Sequence, residues 1–239
     1  GHDRVYVQPV KTKYPQGGER SIISALTGRY MKPGMLPADV GCIVENVGTV
    51  RNIYRAVCFH EPDTLRTFTV SGDGVKSPCN LIVKTGTPFA RALEAAGGFA
   101  DGEAPEKLLC GGPMMGISMP GLRAGICKNN NALTVLRKDA VAEAQARQTA
   151  CIRCGRCVAH CPANLMPLEI ESAYKRGNVE RLAELKVNLC MECGCCSHGC
   201  PASRPLVQTN KLAKAQLAAW RAAKKAADEA KQAAEAAKK

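Results

Sequence analysis

Eight of the fourteen cysteines form two copies of one spacing pattern, C-x2-C-x2-C-x3-C-P. The first run, residues 151–161, precedes Pro162, and the second run, residues 190–200, precedes Pro201. Three thiolates spaced in this way lie along one tight loop that can wrap three corners of a cubane, and the fourth corner needs a more distant sulfur. Because this spacing is typical of proteins that hold two [4Fe–4S] clusters, the sequence predicts one-electron transfer.

The pattern resembles that of bacterial two-cluster ferredoxins, in which the fourth cysteine of each run ligates the cluster of the other run. That resemblance implies two crossed ligand sets. The first set is Cys151, Cys154 and Cys157 with Cys200, and the second set is Cys190, Cys193 and Cys196 with Cys161. Cys195 adjoins Cys196 and could compete for the same iron. We choose Cys196 because it preserves the spacing of the run.

Two zinc sites are the main alternative, because C-x2-C pairs also build zinc ribbons. Zinc takes four ligands, usually as two pairs, and needs neither a third cysteine at the same spacing nor a repeated C-P. Iron–sulfur chemistry is therefore favoured. The spacing also fits a metal site in a reducing compartment better than a disulfide framework, so we expect a cytoplasmic setting.

Length and composition describe a basic chain of more than one domain. Its 239 residues, 46% of them hydrophobic, allow two or three small domains, and no apolar stretch is long enough to span a membrane. The formal net charge of +12 would fall to roughly +8 with two clusters of about −2 each. That charge suits an acidic redox partner or anionic lipid heads, and a solvated lysine-rich tail explains it equally well. An aromatic content of 4% does not support nucleic-acid binding.

Several segments upstream of the cysteines, taken with both runs, resemble the RnfC family, also called RsxC. They are residues 12–28, residues 36–49 and the GGPMMG turn at residues 111–116. The resemblance implies an α+β, multidomain fold. Its parts are the end of a complex-I-flavoprotein-like α/β domain (1–62), an SLBB-like β-grasp module (63–110), a connector (111–139), an α-helical two-[4Fe–4S] ferredoxin-type domain (140–210), and an Ala/Lys-rich helical or disordered tail (211–239).

RnfC is a subunit of the Rnf ferredoxin:NAD oxidoreductase complex, so the resemblance implies an electron-transfer subunit of a translocase. Single electrons would pass through two clusters between a flavin and NAD(H) site and other subunits, coupled to ion translocation. Implied partners are those subunits and a ferredoxin or ferredoxin-like subunit, on the cytoplasmic side of a bacterial or archaeal membrane, peripherally. No residue is assigned a catalytic role. A soluble RnfC-like flavoprotein reductase, such as a cobalamin reductase, and a zinc-stabilised scaffold stay open.

The family resembles the flavoprotein subunit of respiratory complex I, in which FMN accepts hydride from NADH. By that likeness six residues match the flavin and nicotinamide site: Tyr14, Gly17, Gly18 and Glu19 in its lining motif, and Asn46 and Thr49 in a turn near the flavin. The family's glycine-rich nucleotide loop is expected upstream, in a leading segment, and this sequence contains no G-x-G-x-x-G. We therefore do not expect this chain to bind FMN or NAD(H) by itself.

Local patterns predict the secondary structure around these motifs. Expected helices cover residues 20–27 (stopped by Gly28), 168–174 and 179–185, and expected strands cover 67–70 and 80–84. Another helix is capped by Thr87, with Pro88 as its first residue and Phe89, Ala92, Leu93 and Ala96 on its apolar side. The methionines of residues 111–116 are expected to fill a core gap. From residue 211 we expect a helix or helical tail without chemistry.

Overall fold

The computed structural model describes residues 4–236, in a chain that divides into two compact units. Residues 1–62 belong to the first unit and residues 63–239 to the second. The described chain consists of helices and one five-stranded sheet, which confirms the predicted α+β class. Within residues 4–236, no helix combines the length and the apolar content that crossing a bilayer requires.

Within residues 4–62 of the first unit, the regular secondary structure consists of helices. Helix α1 (Glu19–Thr27) ends at Gly28, whose φ of 69° is left-handed, so the predicted helix and its glycine stop are confirmed. A short 3-10 helix (Pro37–Val40) and α2 (Val47–Phe59) follow. Within residues 4–62, Ile23 on α1 is the one fully buried apolar side chain.

The second unit begins with a mixed sheet of strand order β2-β1-β5-β3-β4. Its strands are β1 (Leu65–Ser71), β2 (Cys79–Lys84), β3 (Lys107–Cys110), β4 (Ile117–Ser118) and β5 (Ala132–Leu136). The pair β1 and β5 is parallel, and the other pairs are antiparallel. Strands β1 and β2 are the two that the sequence predicts, and both are confirmed.

Helix α3 (Phe89–Ala95) packs on one face of this sheet. The rings of Phe68 on β1 and Phe89 on α3 meet edge to face, with centroids 5.7 Å apart. All four residues of the predicted apolar side of α3 are buried. The predicted cap is wrong by one position: Pro88 is the N-cap, because its extended ψ of 143° holds it outside the helix.

Strands β3, β4 and β5 were not predicted. Strand β5 is the central strand, and its Leu133 and Val135 are fully buried, while Thr134 between them is 6% exposed. A strand buried on both faces loses the alternation of polar and apolar residues that makes an exposed strand recognisable. The sheet therefore extends through the residues assigned to the connector, 111–139.

Six helices follow the sheet and carry the cysteine runs. They are α4 (Ala140–Ala146), α5 (Arg156–Ala159), α6 (Pro167–Lys175), α7 (Val179–Glu184), α8 (Cys195–His198) and α9 (Leu206–Ala236). Helices α6 and α7 confirm the two predicted between the runs. The predicted C-terminal helix is α9, and it begins before residue 211.

A second apolar core lies among α6, α7 and α9. Its buried side chains include Ile170, Leu182, Ala213 and Leu217, and the cysteines Cys161 and Cys190 pack against it. The first turns of α9 thus belong to the core beside the cysteines, whereas residues 221–233 are exposed.

The methionine turn at residues 111–116 does not fill a core gap as expected. Met115 is 51% exposed. Met114 is half-buried and lies at the loop of the second cysteine run, where its Cε is 3.3 Å from the place that a Cβ on Gly194 would occupy. The turn therefore contacts the cysteine region.

Candidate metal centres

The two cysteine runs repeat one backbone conformation. In each run φ is positive two residues after the first cysteine, one residue after the second, and three residues after the fourth. The matched pairs are Arg153 and Glu192 (56° and 60°), Gly155 and Gly194 (73° and 82°), and Asn164 and Ser203 (51° and 51°). This curl turns a backbone N–H toward sulfur, since the nitrogen of Arg153 lies 3.3 Å from Sγ of Cys151. Such donors favour the thiolate form.

A four-residue helix after each loop carries the third cysteine. Helix α5 holds Cys157, helix α8 holds Cys196, and the two helices contact each other. Each helix ends before the fourth cysteine of its run, and the proline that follows that cysteine cannot continue a helix, because it lacks the N–H. The fourth sulfur is thereby separated from the loop that holds the first three.

The first predicted ligand set lines one cavity. Cys151, Cys154 and Cys157 of the first run share its walls with Cys200 of the second run. Apolar side chains and two arginines complete the lining, including Ile152, Leu168, Ala202, Leu206, Arg153 and Arg204. The structure therefore brings together all four cysteines of the first set, including the one that the resemblance takes from the other run.

Electrostatics within this cavity also connect the runs. Burial raises the pKa of the Cys157 thiol, and the neighbouring thiol of Cys200 adds to the rise. The backbone N–H groups of Leu168 and Val158 act in the opposite direction. The thiolate of Cys157 is disfavoured until a cation offsets the burial, as a metal does.

The second predicted set is more buried. Burial first, and then the neighbouring thiols of Cys190, Cys193 and Cys161, raises the pKa of Cys196 to about 12. Cys193 and Cys196 are 8% and 7% exposed. The backbone nitrogen of Leu165 lies 3.3 Å from Sγ of Cys161 and donates to it. The three thiols of the second run therefore lie near the fourth thiol of the first run.

Cys195 lies at the edge of the second set. Burial, together with the thiol of Cys193, raises the pKa of Cys195 to about 11. The thiols of Cys190, Cys193 and Cys161 all act on Cys196, and those of Cys193 and Cys161 act on Cys195 as well. The choice of Cys196 rests on the spacing of the run and stays a prediction.

The donor chemistry of both sets fits a cubane cluster. Among residues 4–236, no three or more His, Cys, Asp or Glu side chains converge so that they could hold one metal ion. A [4Fe–4S] cluster is held by four thiolates that bind different irons, so its ligands spread around a cavity. Four cysteines line the first cavity in this way.

Comparison with known proteins identifies three domain families in this chain. The Nuo51 FMN-binding domain matches residues 1–55, the SLBB domain matches residues 67–118, and the 4Fe-4S dicluster domain matches residues 150–203. Their order is the order that the resemblance implies.

Curated relatives match over most of the chain. The C component of the ion-translocating oxidoreductase complex of Rhodobacter capsulatus is 41% identical over 211 residues, which is 88% of this chain and 40% of the relative. The C component of the proton-translocating ferredoxin:NAD(+) oxidoreductase complex of Clostridium ljungdahlii is 43% identical over 69% of this chain and 35% of its own length. The Na(+)-translocating counterpart of Acetobacterium woodii is 37% identical over 74% of this chain and 39% of its own length.

The chain belongs to the RnfC family. It spans 35–40% of the length of these relatives. The predicted family, the mixed fold and the presence of a dicluster domain and a flavin-domain segment are confirmed.

The first group of residues matched to the flavin site in RnfC proteins lies at the start of α1. Gly18 is the N-cap of this helix, Gly17 precedes it, and Glu19 is in its first turn. Tyr14, which a cis peptide bond joins to Pro15, is 52% exposed. Backbone N–H groups at a helix start can bind a phosphate. A role for these residues in cofactor binding stays a prediction.

The second group lies at the start of α2. Asn46 is the N-cap, and its Oδ1 accepts a hydrogen bond from the nitrogen of Gly48 at 2.8 Å. Thr49 is half-buried in the first turn. Asn46 thus has a capping role in this RnfC chain, and its role near a flavin stays a prediction.

A buried ion pair supports the first centre. Glu171 on α6 is 2% exposed and accepts two hydrogen bonds from Arg204, at 2.8 and 2.6 Å. Arg204 also donates to the carbonyl of Thr149 at 3.1 Å, just before the first run. Hydrogen bonding to Glu171 raises the pKa of Arg204, and the thiols of Cys151 and Cys200 contribute. Arg204 therefore joins both runs to α6.

Sequence reasoning missed the residues of α9 that reach the second centre. Asn210 Nδ2 lies 3.6 Å from Sγ of Cys190. Lys214 Nζ donates to the carbonyl of Cys190 at 2.9 Å and to Oε1 of Glu192 at 2.6 Å. Asn210 and Lys214 are spaced i, i+4, so they share one helix face. The only sequence signal for this contact was the i, i+4 spacing of two polar residues within the alanine-rich helix α9.

Proposed function

We propose that this chain relays single electrons through two [4Fe–4S] clusters. The relay would join a flavin and NAD(H) site to neighbouring subunits of a membrane-associated ferredoxin:NAD oxidoreductase of the ion-translocating type. The observation that carries the proposal is the cavity lined by three cysteines of the first run and Cys200 of the second. Four thiols at one cavity are the donor set that a cubane cluster takes.

In this proposal the crossed ligand sets hold the two centres. Cys151, Cys154, Cys157 and Cys200 hold the first, and Cys190, Cys193, Cys196 and Cys161 hold the second. When bound, the clusters supply carriers that accept and release one electron at a time. Leu168 and Leu206 line the first cavity and exclude water, while backbone N–H groups donate to the ligand sulfurs.

One-electron centres are needed because NAD(H) exchanges two electrons at once, whereas a ferredoxin exchanges one at a time. NADH donates a hydride, hence two electrons, and a flavin can accept the pair and release the electrons singly. In the opposite direction two electrons arrive one at a time and, with one proton, reduce NAD+. The residues proposed for the flavin and nicotinamide site are Tyr14, Gly17, Gly18, Glu19, Asn46 and Thr49.

We propose a peripheral position on the cytoplasmic side of a bacterial or archaeal membrane. The relatives are named as subunits of ion-translocating complexes, which supports other subunits as partners. Ferredoxin or a ferredoxin-like subunit is the proposed carrier at the other end of the relay. We also propose domain boundaries after residues 62 and 139, and the separation of the chain into units after residue 62 supports the first of them. The boundaries expected after residues 110 and 210 fall within the five-stranded sheet and within α9, so they are not proposed as domain boundaries.

The proposal is tested by measuring iron, acid-labile sulfide, zinc and flavin in anaerobically purified protein, with the paramagnetic resonance spectrum of the reduced state. About eight irons and eight sulfides per chain are expected for two clusters. Zinc without iron and sulfide would refute the relay and favour a scaffold. Recovery of the protein from membranes with hydrophobic subunits is also expected, whereas recovery as a soluble flavoprotein would favour a free reductase.

A further inference from the structure

Helix α9 brings one fully buried amide to the second centre. Asn210 is 2% exposed, and its Nδ2 lies 3.6 Å from Sγ of Cys190. Its Oδ1 is also buried and has no hydrogen-bond partner among residues 4–236. One half of the amide therefore faces sulfur, and the other half is unsatisfied.

This arrangement is unfavourable unless the sulfur is charged. A buried polar atom without a partner destabilises the folded protein, and a leucine would fill an apolar site without that penalty. A neutral thiol is a weak acceptor. A hydrogen bond to an ionised group is roughly twice as strong as a neutral one, and a cysteine that ligates metal is a thiolate. The amide at Asn210 is thus suited to Cys190 as a ligand.

Neighbouring contacts hold Asn210 against the cysteine loop. Lys214, one turn further along α9, donates to the carbonyl of Cys190 at 2.9 Å. The same Nζ donates at 2.6 Å to Glu192, which lies within the loop of the second run. The helix is therefore joined to the loop on the same face as the amide.

We propose that Asn210 is a positioning residue that donates to the sulfur of Cys190 and raises the reduction potential of the second centre. Hydrogen bonds to the sulfurs contribute to cluster potentials, because a donor stabilises the more negative, reduced form. The inference rests on the proposed function, since it requires a cluster held by Cys190. It adds a residue that the ligand pattern does not contain.

The test is a potentiometric titration, followed by paramagnetic resonance, of the cluster-loaded protein and of Asn210→Leu. The midpoint of the second centre should become more negative, by up to about 59 mV, which is a tenfold change in the reduced-to-oxidised ratio of a one-electron couple. The midpoint of the first centre should not move. Cys193→Ala assigns the signals, because it removes a second-run thiol that takes no part in the crossing. An unchanged second midpoint in Asn210→Leu overturns the inference.

Gln216→Leu is the matched control. Gln216 lies on the same helix, and its Oε1 is the other buried side-chain oxygen without a partner in the described part of the chain. This variant should leave both midpoints unchanged. Equal shifts in the two leucine variants would show that the helix, and not the hydrogen bond, sets the potential, and would overturn the inference.

A second measurement covers the case in which Asn210→Leu does not load its cluster. Pulsed resonance of the unaltered, reduced protein labelled with ¹⁵N in its asparagine side chains should show a nitrogen coupling at the second centre. Absence of that coupling overturns the inference. Chains without iron and sulfide contradict the proposed function itself, whereas two clusters with an unmoved midpoint contradict the role of Asn210 alone.

Discussion

The two cysteine sites share one backbone conformation and differ in their exposure to solvent. Cys154 of the first site is exposed, whereas Cys193 and Cys196 of the second site are buried. Exposure and hydrogen bonds to sulfur both affect cluster potentials. Two copies of the same loop therefore lie in unequal surroundings, and the first site is the more exposed to solvent.

The residues after each run extend the comparison. Counted from the fourth cysteine, the fourth, tenth and fourteenth residues are Leu165, Glu171 and Lys175 after the first run, and Arg204, Asn210 and Lys214 after the second. The lysines are the same, but the tenth position is a carboxylate paired with Arg204 in one copy and an amide facing sulfur in the other. The two copies therefore share their backbone geometry and differ in their electrostatics.

The largest expected effect comes from removing the fourth cysteine of either run. Cys161→Ala should remove or perturb the centre that holds Cys190, Cys193 and Cys196, and Cys200→Ala should affect the first centre, because the ligation is crossed. Paramagnetic resonance of the two reduced variants measures this. If each variant instead loses the centre of its own run, the crossed assignment is wrong.

Breaking the buried ion pair of Arg204 and Glu171 should lower the free energy of unfolding more than breaking the pair of Lys214 and Glu192 at the second site. Arg204→Met leaves the carboxylate of Glu171 buried without its main partner and should destabilise the protein by about 3–5 kcal/mol. Lys214→Met, whose pair with Glu192 is partly exposed, should cost about 1 kcal/mol. Lys225→Met, at an exposed pair, is the control without a measurable effect. Thermal unfolding under anaerobic conditions compares the three, and equal losses for the first two would contradict the ranking.

The same ion pair should make the protein sensitive to acid. Burial alone would raise the pKa of Glu171, but hydrogen bonds and charges from Arg204 and Lys175 outweigh it and hold that pKa below its usual value. The contribution is therefore complete above the ordinary carboxyl pKa of about 4.3 and is lost as the pH falls through the lowered value. The stability difference between the unaltered protein and Glu171→Gln should be constant from neutral pH to about pH 5 and shrink in stronger acid. A stability difference between the two proteins that grew in acid would contradict the prediction.

Unequal exposure should appear as unequal loss of the clusters in air. The first centre, at the exposed Cys154, should decay several-fold faster than the second, whose Cys193 is 8% exposed. Resonance spectra taken at intervals after oxygen is admitted measure both rates. Cys154→Ala and Cys193→Ala assign the signals. Faster decay of the second centre would show that the exposure of the cysteines does not control the loss of the clusters.

The smallest expected difference concerns two matched glycines. Gly155→Ala and Gly194→Ala both place a side chain at positive φ, which costs about 1–2 kcal/mol. A Cβ at Gly155 meets nothing within 4 Å, whereas a Cβ at Gly194 lies 3.2 Å from the carbonyl oxygen of Met114. Gly194→Ala should therefore lose about 1 kcal/mol more in thermal unfolding. Equal losses of stability in the two variants would show that the turn at residues 111–116 shifts away from the new side chain without a measurable energy penalty.

Elements whose pattern is local could be predicted from the sequence. The helix before Gly28, strands β1 and β2 and helices α6 and α7 all followed from periodicity and glycine stops. Strand β5 was missed because burial on both faces removes the alternation. The N-cap at Pro88 was missed because the choice between cap and first turn depends on one backbone angle.

The spacing of the cysteines by itself determined the two thiolate loops, because their curl and the N–H bonds to sulfur involve residues a few positions apart. Tertiary structure alone decided which distant groups join them. Packing of α6 and α9 on one core brings Asn210 to Cys190, across 20 residues of chain, and Arg204 to Glu171, across 33. Such contacts depend on the packing of whole helices, which no local pattern encodes.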